Sequence, residues 1–198
     1  GIACPIKVLH LGENEIGKKA AIRKGVAEST GSYILTWDAD IQPSKEYFSH
    51  LQSEKTCDLL ILPVRMTGNK WYSWFFTLDY DYLPNLHWAL SGFGLQLSCS
   101  GANLLFKKES FNAADSIQSH RRVASGDDLF LLRDFKRKKL LINTSSNRDL
   151  KVNTKLPESI IAIMHQRLRW VGKSKSAGTI LSTLIGIIGL IYHFLPIL

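Results

Sequence analysis

Tyr33-Ile34-Leu35-Thr36-Trp37-Asp38-Ala39-Asp40 is the stretch on which the fold turns. Its first five residues, rich in β-branched and aromatic side chains, read as a short buried strand. The strand stops at two aspartates one residue apart, and Pro43 opens the next segment. In an open α/β sheet, ligands gather at the carboxyl ends of the strands, so two carboxylates there face a crevice. Asp38 and Asp40 offer hard oxygen ligands of the kind that Mg²⁺ or Mn²⁺ combines with phosphate oxygens. Aspartate is also an ordinary turn residue, so the pair alone does not decide between a site and a solvated turn.

Working outward, residues 6–11 (IKVLHL) read as an earlier strand and residues 12–17 as a polar loop. Lys18 to Thr30 reads as a helix that packs through Ala20, Ala21, Ile22, Val26 and Ala27, with Gly31 as its stop. Downstream, a helix from Pro43 to Ser53 turns Tyr47, Phe48 and Leu51 inward, and Asp58 to Val64 forms a near-continuous apolar strand. Strands and helices alternating at this spacing imply right-handed crossovers. The expected fold class is therefore α/β, with a mostly parallel sheet flanked by helices.

The second half is read less directly. Residues 71–90 are crowded with aromatics, which suits either core packing or a surface lying against a bilayer interface. Gly92-Phe93-Gly94 is too short for a phosphate-binding fingerprint. Ser100-Gly101-Ala102-Asn103 leads into a strand at Leu104 to Phe106, and Glu109 to Ala114 into a short helix. Ser125-Gly126-Asp127-Asp128 opens a helix to about Lys139 that places Leu129, Leu132 and Phe135 on one face. Ser125 and Asp128 have capping-box spacing, and acids suit a helix start. Two adjacent acids exceed what a cap needs, and a carboxylate so placed can serve as a general base. In residues 157–172, Ile160, Ile161, Met164, Leu168 and Val171 form an apolar stripe. Gln166, Arg169, Trp170 and Lys173 share another face, fit either to grip a diphosphate or to snorkel at an interface.

Composition narrows the partner. Lys and Arg total 25 against 17 acidic residues, a net charge of +8 that favours an anionic partner such as nucleotide phosphates or acidic lipid. No nucleic-acid-binding motif accompanies that charge, so nucleic acid is not expected. Cys4, Cys57 and Cys99 are too scattered for a disulfide framework, which fits a reducing, cytosol-facing location. From Ser176 to Leu198 there is no Lys, Arg, Asp or Glu. As a helix this segment reaches about 34 Å, against a hydrocarbon core of about 30 Å. Arg167, Arg169, Lys173 and Lys175 precede it, which places the globular part on the cytoplasmic side of a cell membrane.

Gly17-Lys18-Lys19-Ala20, Asp38-Ala39-Asp40, Ser100-Gly101-Ala102-Asn103, Ser125-Gly126-Asp127-Asp128 and Gln166-Arg167-Leu168-Arg169-Trp170 occur in that order along nearly the whole chain. Together they resemble the processive-type family 2 glycosyltransferases, the group of cellulose, hyaluronan and ceramide-glucoside synthases. The resemblance implies a GT-A fold, a nucleotide-sugar donor (usually UDP-linked), a divalent metal, and a lipid or glycan acceptor. It implies that Asp40 binds the metal and that Asp38 helps to hold the metal and the nucleotide. Asp128 matches the base that deprotonates the acceptor for inverting attack, and Asp127 stands where a Glu is more usual. Lys18, Asn103, Gln166, Arg169 and Trp170 match substrate-binding positions. By the same resemblance, residues 1–156 form a partial GT-A domain whose first strand and helix precede residue 1. Residues 157–175 form an amphipathic interfacial helix and 176–198 a transmembrane helix. Two other classes use some of the same features: a HAD-like phosphotransferase, which also places DxD after a strand, and a non-catalytic membrane module of a polysaccharide-export assembly.

Overall fold

Leu59, Leu60, Ile61 and Leu62 are all buried and point alternately into two separate cores. Strand β2 (Leu59–Ile61) is therefore covered on both faces, which is why its sequence is an unbroken apolar run rather than an alternating one. The computed structural model describes residues 5–13, 15–54, 57–114 and 127–177.

The main sheet has the order β1-β4-β2-β5, with β1 at Tyr33–Trp37, β4 at Asn103–Lys107 and β5 at Ile142–Thr144. Strands β1 and β2 run the same way, as expected, but they do not touch. Strand β4 lies between them, antiparallel to both, with Trp37 opposite Asn103 and Ile61 opposite Leu104. Only β2 and β5 pair in parallel here. The expectation of a mostly parallel sheet is thus corrected to a mixed one. The cause is that β4 is apolar enough to be buried at the sheet centre, where Leu104 and Phe106 join one core.

On that face lie α1 (Gly17–Glu28), α4 (Lys108–Ala114) and α5 (Asp127–Arg137), contributing Val26, Phe111, Leu132 and Phe135. On the other lie α2 (Tyr47–Gln52) and a single helical turn at Arg148–Leu150, contributing Tyr47 and Leu150. Residues 6–11 do not form the expected strand: they join no described ladder, and Ile6 and Val8 are exposed. An apolar run becomes a strand only where a sheet edge accepts its backbone groups.

The long apolar strand read at 58–64 breaks in two. Pro63 has no N–H to give the ladder, so the chain leaves the main sheet there. It resumes as β3 (Val64–Thr67), which pairs in parallel with β6 (Val152–Lys155). Helices α3 (Ser73–Ser91) and α6 (Ile160–Ala177) pack beside this small sheet, around Met66, Leu156 and Ile163. The aromatic segment divides by face. Tyr72, Phe76 and Tyr80 pack inward, while Trp71, Trp74 and Leu78 are exposed. In α6 the inward residues are Ile163 and Trp170, and the stripe residues Ile160, Ile161 and Leu168 face solvent. Among the described residues no helix is long and apolar enough to cross a membrane. Most of the expected 176–198 span, residues 178–198, lies outside them.

Candidate active site

Strand β1 delivers its two aspartates into a tight turn, closed by the Ile41 N–H donating to the Asp38 carbonyl at 3.2 Å. Gln42 then exchanges backbone hydrogen bonds with Asn153 of β6, which clips the turn to the small sheet. Asp40 Oδ2 accepts from Thr154 Oγ1 at 2.6 Å. That bond above all holds the Asp40 carboxyl below the usual aspartate range, so it stays anionic.

Gly17 takes φ +89°, a left-handed conformation open to glycine, and this turn starts α1. The next residue, Lys18, reaches across and donates its Nζ to Asp38 Oδ1. A Cβ added to Gly101 would stand 3.4 Å from Asp128 Cβ and 3.5 Å from Lys18 Nζ. The Ser100–Asn103 turn therefore approaches both side chains closely, and Lys18 and Asp128 meet across Gly101.

Asp128 is the second residue of α5, and backbone amides hold its carboxylate from two sides. Oδ2 accepts from Gly101 N–H at 3.2 Å and Oδ1 from Leu129 N–H at 2.9 Å. Its carbonyl accepts from Cys99 Sγ at 3.2 Å. Burial first, then the Asp128 charge, pushes the Cys99 thiol well up, so this cysteine is a packing residue and no nucleophile. Asp127 is the first residue of α5; its side chain lies outside the description.

Asn103, matched to a substrate-binding position, is placed elsewhere. It is fully buried, with Oδ1 accepting from Trp37 Nε1 at 3.1 Å and Tyr47 Oη at 2.6 Å. Its Nδ2 donates to the carbonyls of Pro63 at 2.9 Å and Leu150 at 3.0 Å. All four bonds go to the protein, so Asn103 braces the crossover between the two sheets rather than facing a ligand.

On α6, Arg169 is exposed, while Gln166 has its Oε1 buried without a hydrogen-bond partner among the described residues. Trp170 packs against Tyr80 of α3 with ring centroids 5.7 Å apart, and the Arg167 guanidinium lies 5.0 Å over its ring. Sequence reasoning missed Tyr80. The inward spacing of Tyr72, Phe76 and Tyr80 marks a packed face, but nothing in it signals the ring contact with Trp170.

The residues present fit a divalent cation of one kind only. No group of three or more His, Cys, Asp or Glu able to hold a metal exists among the described residues. Asp38 and Asp40 each keep one carboxylate oxygen clear of the Lys18 and Thr154 side-chain bonds. Two such carboxylates suit Mg²⁺ or Mn²⁺ that draws its remaining ligands from a diphosphate and water.

The sequence model of the family described as Glycosyl transferase family 2 matches residues 3–113. The chain belongs to this family. The match covers α1, the DxD turn and β4, and it brings a GT-A-like α/β fold with it. No curated protein matches significantly. Among solved structures, the chain is similar to a mycobacterial protein at 17% identity and a TM-score of 0.42, covering 81% of this chain and 48% of that one. It is also similar to glucosyl-3-phosphoglycerate synthase from Mycobacterium tuberculosis in complex with phosphoglyceric acid, at 16% identity and a TM-score of 0.42, covering 81% and 55%. The same synthase in complex with Mn²⁺ and UDP-glucose gives 17% identity and a TM-score of 0.40, covering 79% and 54%. The chain spans about half the length of these structures.

Proposed function

We propose that this chain carries the catalytic centre of a membrane-bound inverting glycosyltransferase. It would move a sugar from a nucleotide-sugar donor, UDP-linked by preference, to a lipid or glycan acceptor. The carrying observation is that Lys18, Asp38 and Asp128 converge around Gly101, which sets a diphosphate-binding edge beside a carboxylate oriented by two amides. In this reading Asp38 and Asp40 hold a Mg²⁺ or Mn²⁺ ion, which supplies counter-charge to the donor diphosphate. Lys18 adds a cation at the same edge, and Arg169 a further one from α6. Asp128 takes the proton from the acceptor hydroxyl on its carboxylate oxygen as that hydroxyl attacks the anomeric carbon, whose bond to the diphosphate oxygen breaks so that the nucleoside diphosphate leaves. Asp127 supports it, and Gln166 and Trp170 border the acceptor. The Gln166-Arg167-Leu168-Arg169-Trp170 segment supports the processive, polymer- or lipid-modifying branch of the family.

Exposed apolar residues support the membrane part of the reading. Trp71 just ahead of α3, Trp74 and Leu78 on it, and Ile160, Ile161 and Leu168 on α6 are all exposed. Tryptophan favours the headgroup zone, and the uncharged sequence 178–198 follows α6 directly. In this reading the site lies at the cytoplasmic face of a cell membrane. The test is product analysis after incubating membranes that contain the full chain with a panel of UDP-, GDP- and ADP-sugars. A glycosylated lipid or glycan, formed from one nucleotide class and retained through carbonate washing, is expected. No product from any donor, or phosphate release from a simple phosphomonoester instead, would overturn the reading.

A further inference from the structure

Strand β6 joins the small sheet to the DxD turn, and its backbone is held from both sides. Asn153 pairs with Arg65 of β3 in parallel register and, on its other side, bridges to Gln42 just past the turn. Thr154 and Leu156 are fixed from the β3 side. Thr67 Oγ1 donates to the Thr154 carbonyl at 3.4 Å, and Leu156 N–H donates to the Thr67 carbonyl at 2.8 Å. Val152, two residues back and so on the same face as Thr154, is fully buried in the core around Tyr47 and Leu60. Backbone pairing and packing therefore decide where the Thr154 side chain stands. From there its hydroxyl donates to Asp40 Oδ2 at 2.6 Å. Asp40 is exposed on the turn, and an exposed carboxylate samples several rotamers unless a fixed donor selects one.

Resting on the glycosyltransferase reading, we propose that Thr154 is a positioning residue for the divalent cation, acting through Asp40. Its hydroxyl occupies one carboxylate oxygen, so Asp40 meets Mg²⁺ or Mn²⁺ through the other oxygen, in an orientation set before the ion arrives. Binding then has no carboxylate left to order, which raises affinity. The role turns on one atom. Valine has the shape of threonine and suits a strand equally well, so Thr154→Val keeps β6 and removes only the donor.

The experiment titrates Mn²⁺ against the purified full chain in detergent, with and without UDP, reading free Mn²⁺ by electron paramagnetic resonance. Thr154→Val should raise the Mn²⁺ Kd by about tenfold, the scale of losing the partner of a metal-binding carboxylate. Thr154→Ala, a different truncation of the same hydroxyl, should do likewise. Thr154→Ser restores the donor and should return Kd close to the wild-type value. Thr67→Val removes a hydroxyl from the same small sheet that bonds Thr154's carbonyl and not Asp40, so its Kd should not move. Wild-type affinity in either folded truncation would overturn the proposal. Failure of serine to rescue would do so too, as would an equal loss in Thr67→Val, the mark of a merely structural role. Absence of Mn²⁺ binding by the wild-type chain, with or without UDP, would instead sink the metal-dependent glycosyltransferase reading, and the Thr154 proposal with it.

Discussion

Carboxylates stand at both ends of the main sheet, three at one and one at the other, and the two ends are built for opposite purposes. At the end where β1 finishes, Asp38 and Asp40 sit on a turn and Asp128 on a helix start, with Asp40 exposed and the other two half-buried. Their partners are a long lysine, a threonine hydroxyl and backbone amides. At the end where β1 begins, Asp58 is enclosed by its own fold. Ser110 Oγ donates to Oδ1 at 2.7 Å, Leu141 N–H donates to Oδ2 at 2.8 Å, and Lys107 Nζ stands 3.6 Å away. Those contacts tie β2, β4, α4 and the approach to β5 together. Three carboxylates, two of them close to Lys18 and the third held by Thr154 with Lys155 near, leave negative charge in excess at the first end. One carboxylate among a lysine, a hydroxyl and an amide leaves a closed joint.

The largest effect that could break this contrast is metal removal. If the crevice end awaits a cation, EDTA should abolish transfer and added Mn²⁺ or Mg²⁺ should restore it. Full activity in chelator, with metal shown to be absent, would make Asp38 and Asp40 as structural as Asp58. Next in size is Asp128→Asn. The substitution keeps the shape and an oxygen for one of the two amide donors but removes the basic site, so kcat should fall by at least about 100-fold while UDP binding is retained. Unchanged turnover would show that another group accepts the proton.

How much of this was legible in the sequence differs between the two ends. Trp37-Asp38-Ala39-Asp40 declared itself, because five strand-forming residues halted by two acids mark a strand end that opens on a crevice. Lys18 and Asp128 were legible as candidates, but their meeting across Gly101 depends on β4 inserting between β1 and β2. That pairing joins residues about 70 positions apart in the chain, beyond any local pattern. Strand β6 was missed because Val152-Asn153-Thr154-Lys155 is short and mostly polar, and its role comes from Thr154 and Asn153 gripping the DxD turn. Asn103 was legible as special but not as buried. The break at Pro63 is what turns a carbonyl toward it, and that carbonyl accepts from the Asn103 amide as well as from Val152 N–H. The outward face of α6 was hidden for a similar reason: α3 presents Tyr72, Phe76 and Tyr80, and the helix turns Ile163 and Trp170 to meet them.

The smallest expected effect concerns Asp58, and it sharpens the contrast from the structural side. Asp58→Asn keeps an oxygen for one of the two donors and loses the charge facing Lys107, so stability should drop by roughly 1–2 kcal/mol at neutral pH. Transfer kinetics should not change, because the residue lies at the far end of the sheet from Asp38. The pH dependence gives the sign. The Ser110 bond above all, with Leu141 and Lys107, holds the Asp58 carboxyl below its usual range. A carboxylate depressed in the folded state contributes stability that is fully present above the ordinary aspartate value of about 3.9. That contribution is lost as pH falls through the lower, folded value. Urea midpoints of wild type and Asp58→Asn should therefore differ by a constant amount from neutral pH down to about pH 5, and converge only below about pH 4. A gap that widened on acidification would mean that Asp58 is held protonated, and the closed joint at this end of the sheet would be wrong.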